Sequence, residues 1–198
     1  MELKIAFILF DGITWLDLIG IYDPISRLRH MGYLPDLQWD FCARTERVGD
    51  HFGATFCSTK NPDKLSGYDV LIIPGGYGTR SLQTNPSFID WLKTGADARY
   101  KISICTGSLL LGAAGFLKGK TATTHFSEYT GLGNYCTVST ERIVEDGDVI
   151  TAGAVSSSLD LGIYLCEKWV SREAADSIRG RMDYHYSMEQ LIKSNSVK

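Results

Sequence analysis

Cys105 stands where a short apolar run, Ile102-Ser103-Ile104, meets Thr106-Gly107-Ser108-Leu109, which reads as a buried strand running straight into a helix. So sharp a turn needs small residues around the side chain it presents, and Ser103 and Gly107 sit two before and two after the cysteine. This is the pattern of a nucleophile elbow. Unpaired N–H groups at the start of the helix would favour the thiolate, the reactive form of the thiol. The same groups could hold an anion that develops on a bound molecule.

Other residues could serve the same chemistry. Asp17 lies among apolar neighbours in Trp15-Leu16-Asp17-Leu18-Ile19-Gly20. A desolvated acid there can exchange a proton with a substrate or with the thiol, or it can cap the following helix, and spacing leaves both open. Thr106 can donate its hydroxyl into the site or cap the helix that Cys105 enters. His125, in Thr123-Thr124-His125-Phe126, is a secondary candidate, either a base for the thiol or a structural histidine at a strand end. In Ile73-Pro74-Gly75-Gly76-Tyr77-Gly78, glycines again follow an apolar run. Gly75, Gly76 and Gly107 are therefore candidates for oxyanion or substrate contact through backbone N–H groups. The spacing is not the G-x-G-x-x-G of dinucleotide sites. Cys42, Cys57, Cys136 and Cys166 read as buried, inert thiols, and His30, His51 and His185 lie in no motif.

These residues need a scaffold that brings distant segments together. Apolar runs at residues 4–10, 69–73 and 101–104 end in turn residues and suit strands buried on both faces of a parallel sheet. Helical periodicity covers residues 18–29, 86–98, 107–114, 157–170 and 172–182, the second opening with Asn85-Pro86 as cap and first-turn proline. Strands alternating with helices predict an α/β sandwich. Residues 52–59 and 136–151 are β-like, and Asp146-Gly147 between Ile143-Val144 and Val149-Ile150 signals a hairpin. Antiparallel additions at the sheet edge are expected there.

The chain has 198 residues, 44% hydrophobic and 22% charged, which predicts one domain over residues 1–198 with a frayed polar tail at 193–198. A net charge of −3 without a basic block gives no electrostatic footprint for nucleic acid, and no apolar run is long enough to span a membrane. A small-molecule substrate fits better. Five scattered cysteines without zinc spacing point to free thiols in a reducing cytoplasm and to no metal site.

The motifs Leu16-Asp17-Leu18-x-Gly20, Ile73-Pro74-Gly75-Gly76, Cys105-Thr106-Gly107-Ser108, Gly112-Ala113-Ala114-Gly115 and Thr123-Thr124-His125 resemble the ThiJ/PfpI superfamily, part of the class I glutamine-amidotransferase-like proteins. The likeness runs from Lys4 to about Met182 and is strongest to the isonitrile hydratase (isocyanide hydratase) group. It implies a flavodoxin-like three-layer sandwich, a mostly parallel sheet with helices on both faces. It also implies a homodimer and no cofactor. For the site it implies that Cys105 attacks the isonitrile carbon, that Asp17 moves the proton, and that Thr106 orders the acid or the water. Peptidase-like members carry histidine where this chain has Thr106, and thiol-sensing or glyoxalase-type members generally carry glutamate where it has Asp17. Glyoxalase-like chemistry on reactive carbonyls and redox sensing by Cys105 remain the alternatives.

Overall fold

The structure, a computed structural model, describes residues 3–184. The tail expected at residues 193–198, and His185, lie outside the described residues. In chain order the elements are β1 (Lys4–Ile8), α1 (Trp15–His30), β2 (Gln38–Cys42), β3 (Arg47–Gly49), β4 (Thr55–Cys57) and β5 (Val70–Ile73). There follow α2 (Thr79–Leu82), α3 (Pro86–Lys93), β6 (Tyr100–Ile104), α4 (Gly107–Ala113), β7 (Thr121–Ala122) and α5 (Tyr129–Leu132). The last are β8 (Thr137–Val138), β9 (Ile143–Asp146), β10 (Val149–Ala152), α6 (Ser157–Trp169) and α7 (Arg172–Arg181). A 3-10 turn, Phe126–Glu128, precedes α5.

Six strands form the main sheet in the order β2-β1-β5-β6-β10-β9, parallel except for β9. Ile5 faces Val70, Val70 faces Tyr100, and Ile102 faces Ile150. Strands with helices over both faces must be apolar throughout, and β5, Val-Leu-Ile-Ile, is buried at every position. α1, α6 and α7 pack on one another, and the Ser158 hydroxyl ties α6 to α1 by donating to the Leu16 carbonyl at 3.1 Å. None of the helices is long and apolar enough to cross a membrane, among the described residues.

The topology decides where the functional residues meet. β1, β5 and β6 are parallel neighbours, so the segments leaving their carboxyl ends emerge along one edge of the sheet. Chain order reverses between β1 and β5, a switch point where ligands bind in open α/β sheets. Asp17 follows β1, Gly75 follows β5 and Cys105 follows β6.

Several elements differ from the sequence expectation. α1 begins at Trp15 with Thr14 in the capping position, so Asp17 lies inside the first turn and is not the cap. α3 stops at Lys93, where the N–H groups of Thr94 and Gly95 turn to the carbonyls of Trp91 and Leu92, three residues back. The Asp146-Gly147 hairpin forms, but only β9 is an antiparallel edge addition, while β10 lies inside the parallel sheet against β6. β3 and β4 form a separate antiparallel pair, and β7 and β8 a separate parallel pair. β2 was not foreseen, since the mixed sequence Gln-Trp-Asp-Phe-Cys carries no continuous apolar run.

Candidate active site

Cys105 has φ 55, a left-handed backbone that a side-chain-bearing residue adopts only when its surroundings force it. The surroundings here do so. Its N–H is shared between the carbonyls of Ala152 at 3.0 Å and Gly153 at 2.8 Å. Its own carbonyl accepts from Thr124 Oγ1 at 3.0 Å and Ser108 Oγ at 3.2 Å. Gly107 lets the turn close on the end of β5, for a Cβ there would collide with the carbonyl of Ile73 and lie 2.7 Å from that of Pro74. Gly75 is required for the same reason: its Cβ would fall 2.6 Å from the Thr106 nitrogen and 2.8 Å from Cys105 Cβ.

Asp17 is fully buried beneath this turn. Oδ2 accepts the Gly75 N–H at 2.9 Å. Oδ1 has no partner of hydrogen-bond geometry, yet the Cys105 thiol is close enough for each group to shift the other. Burial pushes the Asp17 carboxyl up to about 7, against the lowering influence of the Gly75 N–H and the thiol. Burial, followed by the charge of Asp17, pushes the Cys105 thiol up to about 12, although the N–H and hydroxyl of Thr106 pull it down. The thiolate expected from the helix start is therefore not the resting form. α4 has only seven residues, and desolvation beside a carboxylate outweighs its favourable end.

The glycines also differ from expectation. The Gly75 N–H is engaged by Asp17 and the Gly76 N–H donates to Thr106 Oγ1 at 3.0 Å, so neither is left over for an oxyanion. Both organise the site. Thr106 Oγ1 lies 2.9 Å from the Thr79 hydroxyl, which reaches the Gly76 carbonyl at 2.8 Å. Thr106 makes no cap bond with its side chain; it locks the glycine turn to the elbow. His125 accepts the Ser127 N–H on Nδ1 at 3.2 Å, capping the turn Phe126–Glu128.

A cavity of about 380 Å³ opens over the cysteine, within the range typical of small-ligand sites. Cys105, Thr106, Gly76 and Thr14 lie on its wall together with Tyr77 and His125. Phe52, Arg80, Ser127 and Val155 complete it and had no signal in the sequence, because four separate segments of the chain bring them together. Trp15 packs on Phe56. All five cysteines are free; Cys42 and Cys166 are buried as expected, whereas Cys57 is exposed and Cys136 half-buried.

An open α/β sheet that carries a cysteine on a strained strand-to-helix turn, above a buried carboxyl and below a small cavity, defines a class of flavodoxin-like thiol proteins. The profile of the DJ-1/PfpI family matches residues 3–168, and the chain belongs to that family. It is 34% identical over 191 residues to the isonitrile hydratase of Pseudomonas putida, covering 93% of this chain and 79% of that protein. It is 29% identical over 126 residues to the Parkinson disease protein 7 homolog of Danio rerio, covering 62% and 67%. Among solved structures, a ThiJ/PfpI family protein from Pseudomonas syringae superposes with a TM-score of 0.83 at 28% identity, covering 94% of this chain and 77% of that one. Drosophila melanogaster DJ-1beta has the same fold, with a TM-score of 0.80 at 18% identity over 94% of this chain and all of that one.

Proposed function

We propose that the protein hydrates isonitriles to N-substituted formamides, with Cys105 as nucleophile and Asp17 as the group that moves the proton. The observation that carries this reading is the juxtaposition of the thiol with a buried carboxyl whose Oδ1 has no hydrogen-bond partner. Both groups resist ionisation, so transfer of the thiol proton to the Asp17 carboxylate leaves one negative charge shared by the pair. The sulfur then bonds to the terminal carbon of R–N≡C, and the proton passes from Asp17 to that same carbon. The product is a thioimidate, Cys105–S–CH=N–R. Water adds across the C=N bond to give Cys105–S–CH(OH)–NH–R. Breaking the C–S bond and returning the hydroxyl proton to sulfur releases HC(O)–NH–R and regenerates the thiol. No electrons are exchanged with any other species. Thr106 favours the charged sulfur through its N–H and hydroxyl.

On this reading the chain is a single domain over residues 1–198, supported by one continuous hydrophobic core. It acts on a small molecule, as a homodimer, in the cytoplasm, without a cofactor and without nucleic acid or membrane partners. Its free thiols support the compartment, and resemblance supports the dimer.

The test is formamide production from cyclohexyl or para-nitrophenyl isocyanide, followed by ultraviolet absorbance with wild type and Cys105→Ala in parallel. Turnover by wild type that disappears in the folded variant is expected. A wild-type rate in Cys105→Ala, or no turnover by reduced wild type, overturns the proposal. Methylglyoxal, left unchanged in a parallel assay, separates the hydratase from carbonyl chemistry.

A further inference from the structure

The cavity above Cys105 has a mixed lining. Phe52, Tyr77 and Val155 present apolar surface, while Arg80, His125 and Ser127 present polar groups. Cys105 and Thr106 are buried at 5% and 3% exposure, and Arg80, Ser127, Tyr77 and Phe52 are exposed, so these four lie toward the mouth and the thiol at the floor.

The polar side is fixed as a set of donors. Arg80 Nη2 donates to Glu128 Oε1 at 2.7 Å, and the guanidinium sits 5.3 Å from the centre of the Tyr77 ring. Arg80 lines the cavity and its ion-pair partner Glu128 does not. A guanidinium has five N–H donors in one plane, and a single carboxylate oxygen engages only part of that fork. His125 Nδ1 accepts the Ser127 N–H at 3.2 Å and lies 2.9 Å from the Ser127 hydroxyl. An accepting Nδ1 places the proton of the neutral ring on Nε2. His125 lines the cavity, and Nε2 is the ring nitrogen that remains as its donor.

We propose that the Arg80 and His125 side of this cavity selects ligands whose far end carries a carboxylate, with a flat apolar body against Tyr77 and Phe52. The inference rests on the hydratase reading for its substrate class, which becomes aryl isonitriles bearing a carboxylic acid. A carboxylate supplies two coplanar acceptors to the donors at the mouth, and an unsubstituted aryl group leaves those donors without a partner. The isonitrile carbon at the opposite end is then directed to the floor, where Cys105 lies. Arg80 and His125 are specificity residues and touch no reacting atom.

The test compares kcat/KM for 3- and 4-carboxyphenyl isonitrile with phenyl isonitrile, in wild type, Arg80→Gln and Arg80→Lys. A preference of about tenfold for one of the acids, expressed mainly in KM, is expected from a charge-assisted pair at a partly exposed site. The ratio falls toward unity in Arg80→Gln and is partly restored in Arg80→Lys, which returns the charge without the planar fork. Equal kcat/KM for acids and parent compound in wild type overturns the inference and leaves the hydratase reading standing. Failure to hydrate any of the three overturns the hydratase reading instead. Calorimetric binding of 4-formamidobenzoate and formanilide to wild type and Arg80→Gln then decides the cavity's preference: tighter binding of the acid, lost in the variant, supports it, and equal binding overturns it.

Discussion

The Gly75 N–H donates to Asp17 Oδ2 across 2.9 Å, although 58 positions separate the two residues in the chain. That bond engages Oδ2, while Oδ1 has no hydrogen-bond partner and the carboxyl lies close enough to the Cys105 thiol for each group to shift the other. Asp17→Asn keeps the shape and an acceptor for Gly75 but removes the proton carrier. Turnover should fall by about 10²- to 10⁴-fold, the usual contribution of a positioned acid or base. Alkylation of Cys105 should move the other way. The Asp17 charge raises the thiol, so its removal increases the thiolate fraction and speeds reaction with iodoacetamide at a fixed pH. Slower turnover together with faster alkylation distinguishes loss of the proton carrier from a distorted site, which would slow both.

Asp17 also makes stability depend on pH. In the folded chain its carboxyl is held at about 7, whereas an unfolded aspartate titrates near about 3.9. Between those values the folded state holds a proton that the unfolded state has released. Its contribution is complete below about pH 4 and is lost as pH rises through 7. Urea unfolding at pH 5 and pH 8 should show Asp17→Asn gaining on wild type at the higher pH, by on the order of 1–4 kcal/mol. Asp148, lowered to about 2 by Lys101 and Lys120 against the cost of burial, acts in the opposite direction and only in acid, outside this window. A difference between variant and wild type that is constant from pH 5 to pH 8 would contradict the raised carboxyl.

The elbow was legible because its requirements are local: a strand end, small neighbours, and a helix start within a few residues of Cys105. Asp17 was legible as an acid in apolar company, but its position in the first turn rather than at the cap depends on where Thr14 starts the helix. The glycine turn was legible, but the partners that engage its N–H groups, Asp17 and Thr106, come from other segments and were not. Phe52, Arg80 and Val155 had no local signal. Arg80 and Val155 follow β5 and β10, parallel strands of one sheet, while Phe52 comes from the turn of the separate β3-β4 pair, and chain order alone does not reveal that these meet.

Thr106→Val tests the link between the two turns. Valine matches the shape but offers no acceptor to the buried Gly76 N–H and no partner to Thr79. An unsatisfied buried donor costs about 1–3 kcal/mol, to be read from urea unfolding. The thiol loses a hydroxyl that favours its charged form, so its apparent pKa in alkylation kinetics should rise. Stability equal to wild type would show that the hydroxyl is not what joins the turns.

The close approach of β5 to the elbow leads to a last expectation. Neither Gly75 nor Gly107 has a positive φ, so alanine at either position fails through lack of space, not through its backbone preference. At Gly107 the added carbon would meet the Ile73 and Pro74 carbonyls, which cannot move without shifting the end of β5. At Gly75 it would meet the Thr106 nitrogen, Cys105 Cβ and, at 2.9 Å, Asp17 Oδ2, so the carboxyl and the thiol are forced apart. Overpacking of this kind costs about 1–3 kcal/mol, and both variants should lose turnover by more than that loss of folded protein explains. Gly119→Ala is the control. Its Cβ would meet nothing within 4 Å, and its φ of +74 imposes backbone strain alone, so it should lower stability and leave turnover per folded molecule intact. Full turnover in folded Gly75→Ala would show that the contact between Asp17 and Cys105 tolerates displacement, and that proton transfer does not depend on it.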